Sequence, residues 1–240
     1  MLLDVKKLSV KYDGAIALNN ISFNVEKGEI VALIGPNGAG KSTAIKTVSG
    51  SLDFVSGQIE CGDIFFEGLD IKSKRTDELV RLGISTVHEG RKIFPSMTVL
   101  ENLELGGFIE YNKLVVSENI NDILDIFPIL RQKIHQKAGT LSGGEQQILT
   151  LGRALILKPK LLLIDEPSVG LSPNYLDIVF NTLVEINKNG TTILIVEQNA
   201  RRAFQICDRA YIFSIGSIVR EGPKEVLIHD EEIVKTFLGK

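Results

Sequence analysis

The sequence predicts an α/β fold with a mainly parallel core sheet, an N-terminal antiparallel β part and a helical subdomain. Three observations support this prediction: short alternating segments near the N-terminus, apolar runs that recur between helical stretches, and a mostly helical middle section. Apolar runs buried on both faces are typical of parallel strands. Strands that alternate with helices favour a parallel sheet covered by those helices.

The first forty residues predict three strands. Leu8 to Tyr12 and Ile21 to Val25 alternate apolar and polar residues, which predicts strands with one buried face. Ile30 to Ile34 is apolar throughout and predicts a strand buried on both faces. Glycine-rich residues 35–40 follow, and a helix is expected from about Lys41 to Gly50.

The middle section changes character after residues 51–88, which are expected to form further strands and turns. Thr98 and Glu101 match a capping box and predict a helix start. Helical periodicity continues over Ser117 to Phe127, and Ser142 to Leu157 predicts a longer helix.

The last third returns to the strand–helix alternation. Leu161 to Ile164 predicts a buried strand, and Pro173 to Lys188 predicts a helix with proline in its first turn. Thr191 to Val196 is β-branched and predicts another strand. We therefore expect one domain over 1–240, with a core lobe of about 1–88 and 158–240 and a helical lobe of about 89–157.

Composition and charge argue against several classes of protein, among them nucleic-acid-binding, disulfide-rich and membrane-spanning proteins. The net charge of −3 gives no basic footprint of the kind that nucleic-acid binding usually shows, so no nucleic-acid partner is expected. Cys61 and Cys207 have no metal-ligand spacing, which favours a reducing compartment over a disulfide framework. Charges within the first six residues argue against a signal peptide. The apolar runs are strand-sized, so membrane work would require docking to another chain.

One segment has the spacing of a phosphate-binding loop. It follows the pattern G-x-x-x-x-G-K-[ST], in which glycines let backbone N–H groups turn towards phosphate oxygens. Lys41 is expected to reach the β and γ phosphates, and Ser42 to offer its hydroxyl to Mg²⁺. The candidate ATP-binding residues here are Gly35, Pro36, Asn37, Gly38, Ala39, Gly40, Lys41, Ser42 and Thr43.

Two carboxylates end the apolar run at Leu161 to Ile164. The carboxyl edge of a parallel sheet is where ligands gather. Asp165 is therefore predicted to hold Mg²⁺ through water. Glu166 is predicted to act as the base that polarises the attacking water. Solvated charges at a strand end are the alternative for both residues.

The segment Leu141-Ser142-Gly143-Gly144-Glu145-Gln146-Gln147 resembles the signature motif of ABC ATPases and stands just before the acidic pair. Ser142 with Glu145 also matches a capping box, and both interpretations can hold together. The resemblance covers essentially the whole chain and implies a P-loop NTPase fold of ABC type. It also implies that two such domains sandwich two ATP molecules head to tail.

The resemblance assigns further roles. Ser142, Gly143 and Gly144 would contact ATP held by the other chain of the dimer. Tyr12 matches the aromatic position that stacks on adenine, with an ordinary strand tyrosine as the alternative. Residues 168–172 match the D-loop, which crosses the dimer interface.

Two positions depart from the general ABC pattern. Glu89 stands where the Q-loop normally carries a glutamine that binds Mg²⁺, and Gln198 replaces the switch histidine. A glutamine cannot carry the charge of a protonated histidine. However, E-G-R followed by Phe-Pro, together with V-E-Q-N, resembles one ATP-binding subunit type of branched-chain amino acid importers. His88 stands where that subfamily usually has proline.

The resemblance implies an ATPase subunit that works with ATP and Mg²⁺, in which Lys41, Glu166 and Gln198 take part in catalysis. Its expected partners are a second ABC ATPase chain, transmembrane permease subunits and, indirectly, a solute-binding protein. The expected place is the cytoplasmic face of the membrane, as a peripheral protein. A related urea or amide importer, an exporter subunit and a soluble non-transport ABC ATPase are the alternatives.

Overall fold

The computed structural model describes residues 1–238, and its regular elements follow the predicted order. The strands are β1 (Leu3–Tyr12), β2 (Ala15–Val25), β3 (Ile30–Ile34), β4 (Gly57–Phe66), β5 (Leu69–Asp70), β6 (Ile84–Val87), β7 (Leu161–Asp165), β8 (Thr192–Glu197), β9 (Arg209–Ser214) and β10 (Ser217–Pro223). The helices are α1 (Lys41–Val48), α2 (Thr76–Leu82), α3 (Val99–Gly106), α4 (Lys113–Ile126), α5 (Pro128–Gln132), α6 (Gly143–Leu155), α7 (Pro173–Lys188), α8 (Ala200–Ile206), α9 (Lys224–Leu227) and α10 (Glu231–Ile233). Short 3₁₀ turns occur at Leu52–Val55 and Ala138–Thr140, and a π-helical turn at Val234–Leu238.

The strands form two sheets, which confirms the predicted fold class. A four-stranded antiparallel sheet has the order β2-β1-β4-β5, and a six-stranded sheet has the order β10-β9-β3-β8-β7-β6. In the larger sheet, β9, β3, β8, β7 and β6 are parallel, and β10 pairs antiparallel with β9 at the edge. The strand that precedes the phosphate loop therefore lies inside the parallel sheet, between β8 and β9.

Each side of the parallel sheet packs against a separate hydrophobic cluster. Along β3, Ile30, Ala32 and Ile34 belong to one cluster, and Val31 and Leu33 belong to the other. The first cluster contains the helical residues of the middle section, and the second contains the antiparallel sheet and α1. This alternation is why β3 is apolar at every position.

The helical middle section forms as its capping signals predict. Glu101 N donates to Thr98 Oγ1 at 3.1 Å, and Thr98 N donates back to Glu101 Oε2 at 2.6 Å. α3 packs against α6, and α4 continues into α5 through Phe127, with Pro128 at the first helical position. The predicted division into a core lobe and a helical lobe stays a prediction.

Three segments differ from their predicted form. Residues 51–88 contain a helix, α2, that was not predicted. β1 and β2 extend well before Leu8 and Ile21, because irregularities at Lys7 (φ 47°) and Asn20 (φ 50°) interrupt the two-residue alternation. Such bulges shift side chains to the opposite face and hide the strand in the sequence pattern. Within residues 1–238, no helix combines the length and apolarity needed to cross a bilayer.

Candidate nucleotide site

The loop between β3 and α1 is shaped by glycines that no other residue could replace without a shift. Gly40 has φ 100°, and a Cβ atom there would lie 2.8 Å from the Ala17 carbonyl oxygen. A Cβ atom on Gly35 would lie 2.4 Å from the Phe213 carbonyl oxygen. Gly216 N, in the β9–β10 turn, donates to Ala39 O at 3.0 Å. The loop is therefore fixed from both sheets.

Lys41, the first residue of α1, turns its ammonium group back into this loop. Its Nζ donates to Gly35 O at 2.8 Å and to Pro36 O at 3.0 Å, and lies 3.3 Å from Glu166 Oε1. Only 3% of the side chain is exposed. A buried cation held by carbonyl oxygens beside a helix N-terminus can exchange those acceptors for phosphate oxygens.

Ser42 and Asp165 meet although they stand 123 positions apart in the chain. Ser42 Oγ donates to Asp165 Oδ1 at 2.9 Å. Burial raises the pKa of the Asp165 carboxyl; the Ser42 hydrogen bond opposes this, and the carboxylates of Glu166 and Glu89 raise it further. A divalent cation bound beside Asp165 would offset the repulsion between its carboxylate and those of Glu166 and Glu89.

Glu166 follows β7 in a left-handed conformation, with φ 47°. Its backbone N–H donates to Val196 O at 3.0 Å, which ties the strand end to β8. The side chain reaches a cavity of about 400 Å³. Its lining comprises Ile16, Ala17, Asn37, Gly38, Ala39, Gly40, Lys41, Ser42, Thr43, Glu89, Glu166, Ile215 and Gly216.

Eight predicted site residues are absent from this lining: Gly35, Pro36, Tyr12, Asp165, Gln198 and the signature residues Ser142, Gly143 and Gly144. The Tyr12 hydroxyl lies 3.4 Å from Thr43 Oγ1, and its ring packs beside Gly57 and the second hydrophobic cluster. Gln198 is exposed just after β8. Asp165 reaches the cavity through its bond to Ser42. The roles assigned to Tyr12 and Gln198 therefore remain predictions.

The predicted signature residues form the start of α6. Ser142 caps the helix: Glu145 N donates to Ser142 Oγ at 3.4 Å, and Ser142 N donates to Glu145 Oε2 at 2.9 Å. A Cβ atom on Gly144 would lie 2.1 Å from the Tyr175 ring, so the helix start touches α7 closely. Ser142 Oγ also donates to the Tyr175 hydroxyl at 3.4 Å.

Sequence reasoning gave no role to three residues that hold these loops. Glu197, fully buried, accepts hydrogen bonds from Ser168 N at 3.1 Å and from Ser168 Oγ at 2.9 Å. Burial raises its pKa to about 7, although these bonds and one from Asn199 oppose the rise. Arg91 and Tyr175 contact the signature glycines. The one sequence signal that could have identified Glu197 as a functional residue is its position at the end of an apolar strand.

The site fits a magnesium ion. Mg²⁺ is commonly bound by one or two protein oxygens together with substrate phosphates. Ser42 Oγ and Asp165 Oδ1 already lie side by side, and Glu89 lines the same cavity. All three are oxygen donors, as this ion requires.

Comparisons with known proteins agree with this geometry. The family model described as ABC transporter matches residues 18–169. The chain is 41% identical over 238 residues to a high-affinity branched-chain amino acid transport ATP-binding protein, BraG, of Pseudomonas aeruginosa, covering 99% of this chain and 100% of that one.

Two solved structures have the same fold. One is an ATP-binding cassette of an ABC transporter in its ADP conformation, with a TM-score of 0.86 and 31% identity over 100% of this chain and 99% of that one. The other is a dimeric cassette bound to ADP and Pi, with a TM-score of 0.81 and 25% identity over 93% of this chain and 99% of that one. The matching family model, the relative of full length and the phosphate loop beside its acidic strand agree: this chain belongs to the ABC transporter family, as an ATP-binding cassette.

Proposed function

We propose that this chain is the ATP-hydrolysing subunit of a membrane importer for branched-chain amino acids. The observation that carries the enzymatic part is the convergence of Lys41, Ser42, Asp165 and Glu166 at one edge of the parallel sheet. The solute class rests on likeness to BraG and on the E-G-R and V-E-Q-N segments.

The chain's own residues divide the work of hydrolysis. Lys41 binds the β and γ phosphates and neutralises charge that develops on the transferred group. Glu166, whose carboxylate lies 3.3 Å from Lys41 Nζ, accepts a proton from the water that attacks the γ phosphate. The backbone N–H groups of residues 37–41 orient the phosphates.

Ser42, Asp165 and Glu89 would hold Mg²⁺ in this scheme. When bound, the ion supplies charge stabilisation at the phosphate oxygens. Because Ser42 Oγ and Asp165 Oδ1 bond to each other, the hydroxyl is already oriented for a ligand at this position.

The signature residues act on a second cassette. The cavity that holds Lys41 is lined by β2, the phosphate loop, the β9–β10 turn, Glu89 and Glu166. Ser142 and Gly144 lie instead against Tyr175. A signature motif that contacts ATP would therefore do so in trans, as in a head-to-tail dimer. The dimeric neighbour with ADP and Pi supports this assembly.

Transport is carried out by partner chains. We propose that this chain docks to permease subunits at the cytoplasmic face of the membrane and that a solute-binding protein delivers the amino acid to them. Closure of the dimer on ATP shifts the population of permease conformations, because ATP favours the closed state.

The first test is magnesium-dependent ATP hydrolysis by the purified chain and by Glu166→Gln. Loss of a catalytic base lowers turnover by about a hundredfold or more. ATP binding should stay within about twofold of wild type, because amide and carboxylate have the same shape. Glu185→Gln, the same change on an exposed helix position, should turn over as wild type does.

Two outcomes would contradict the assignment. Equal turnover by Glu166→Gln and wild type would remove Glu166 as the base. Failure of the wild-type chain to bind MgATP would remove the ATPase proposal itself. The solute is tested separately, by ATPase stimulation of the chain assembled with its permease subunits: leucine, isoleucine or valine should stimulate, whereas urea should not.

A further inference from the structure

Arg91 bridges two loops that belong to different parts of the fold. Its Nη2 donates to Gly170 O at 2.5 Å, in the loop that follows β7. A Cβ atom on Gly143 would lie 2.3 Å from Arg91 Nη1, so the other side of the guanidinium touches the start of α6. One side chain therefore spans the gap between the signature and the D-loop segment.

The backbone around Arg91 is folded to make this reach possible. Gly90 has φ 88° and Arg91 has φ 49°, so two successive residues adopt the left-handed conformation. For a non-glycine residue this conformation is unfavourable and persists when surrounding contacts hold it. Here the side chain contacts Gly143 and Gly170, and the backbone is held by a hydrogen bond from Ile93 N to Arg91 O at 2.7 Å.

The same short segment also touches the nucleotide cavity. Glu89, two residues before Arg91, lines that cavity together with Lys41, Ser42 and Glu166. Glu89 is also close enough to Asp165 to act on it electrostatically. Within residues 89–91, Glu89 therefore lines the nucleotide cavity, and Arg91 contacts the signature and the D-loop.

Electrostatic attraction to α6 does not explain why the positively charged Arg91 lies beside Gly143. The N-terminus of a helix carries partial positive charge, so a cation beside Gly143 is not attracted by the helix itself. The Gly170 carbonyl and close packing keep the guanidinium there instead. The planar guanidinium donates to Gly170 O on one side and packs against Gly143 on the other, a two-sided contact that a lysine ammonium cannot make equally well.

The geometry points to Arg91 as a positioning residue that couples the phosphate side of its own cassette to the surface presented to the second cassette. This inference rests on the proposed ATPase function for its consequence, and on the contacts of Arg91 for its mechanism. A change at Glu89 moves residues 89–91, and Arg91 transmits that change to Gly143 and Gly170 together. The signature and the D-loop then respond as one unit.

The test compares Arg91→Ala and Arg91→Lys with wild type, with Lys92→Ala as a control. Lys92 is the exposed neighbour of Arg91, so Lys92→Ala also removes one positive charge from this segment. Amide hydrogen exchange is measured on residues 141–147 and 168–172 of the monomeric chain, with and without MgATP. Circular dichroism and Tm verify that each variant is folded.

In the ligand-free chain, residues 168–172 of Arg91→Ala should exchange about tenfold faster, the change expected for losing the charge-assisted hydrogen bond to Gly170 O. Residues 141–147 should also exchange faster, because they lose the packing of the guanidinium against Gly143. Arg91→Lys should fall between Arg91→Ala and wild type, and Lys92→Ala should match wild type. MgATP should alter exchange at residues 141–147 in wild type and leave it unaltered in Arg91→Ala.

Nucleotide binding separates positioning from direct contact. A fluorescent ATP analogue should bind Arg91→Ala within about twofold of wild type, because Arg91 lies away from its own phosphate cavity. In turnover, kcat should fall while KM stays nearly constant. Weakened ATP binding by Arg91→Ala, or unchanged exchange in both segments, would overturn the inference.

The two proposals fail in different ways. If wild type bound no ATP, the proposed function would fail, and the exchange comparison in the ligand-free chain would still decide whether Arg91 links the two loops. If wild type bound and hydrolysed ATP while Arg91→Ala behaved as wild type in every assay, the ATPase function would stand and the coupling role would not.

Discussion

Replacing Glu197 by glutamine should change how the stability of this chain depends on pH. Glu197 ends β8, is fully buried and accepts two hydrogen bonds from Ser168. Burial raises its pKa from the ordinary value of 4.5 to about 7, against the opposing effect of its hydrogen bonds, and the nearby Glu166 adds to the rise. The folded chain therefore holds a proton on Glu197 that the unfolded chain has released.

The sign and size of the effect follow from this difference. Between pH 4.5 and about 7 the folded state binds more protons than the unfolded state, so the free energy of unfolding falls as pH rises. The contribution is fully present below pH 4.5 and is lost above about pH 7. At about 1.4 kcal/mol per pKa unit, the shift corresponds to about 3 kcal/mol.

The assay is urea denaturation of wild type and Glu197→Gln across this pH range, followed by circular dichroism. Glutamine does not titrate, so the difference in unfolding free energy between the two proteins isolates Glu197 from every other group. Wild type should lose about 3 kcal/mol relative to the variant as pH rises. Parallel pH profiles for the two proteins would refute the argument that burial holds a proton on Glu197.

Other substitutions test the packing near the site and at the opposite end of the parallel strands. Ile215 is a β-branched residue at φ 45° in the two-residue β9–β10 turn and is 91% exposed; Ile215→Asn should raise Tm by about 2–4 °C in a thermal melt, because Asn-Gly is preferred in such turns. Arg209 donates to both Glu29 carboxylate oxygens, at 2.9 and 3.1 Å; Arg209→Ala should cost about 2–3 kcal/mol in urea denaturation, and an unchanged midpoint would count against this network. Gly144→Ala should cost about 1–3 kcal/mol by displacing the Tyr175 ring, and truncating Tyr175 to alanine in the same chain should recover part of that loss.

The parts of the fold that sequence patterns predicted are those in which local and tertiary preferences agree. β3 and β7 are apolar at nearly every position because both faces of the parallel sheet are covered, so a continuous apolar run identifies them. Thr98 and Ser142 begin helices because each caps an N-terminus with a partner three residues later. The place of Ser42 beside Asp165 follows from strand-end geometry.

The sequence did not predict α2 or the contacts of Arg91, because both depend on tertiary contacts that produce no recognisable local pattern. α2 is seven residues long and has one buried residue, Leu79, so helical periodicity cannot develop in it. The contacts of Arg91 are made with Gly143 and Gly170, which lie 52 and 79 positions away. Nothing local distinguishes this arginine from a solvated surface cation.

The alternation of β3 between two hydrophobic clusters has a consequence for how such a chain can diversify. Because odd and even positions of the parallel strands serve different cores, a substitution on the buried face of α4 changes packing on one side only. Distant sites without shared partners behave additively. The outer surface of α4 can therefore diversify while the phosphate loop keeps its packing against the opposite core, so the two sides of the sheet can change independently of each other.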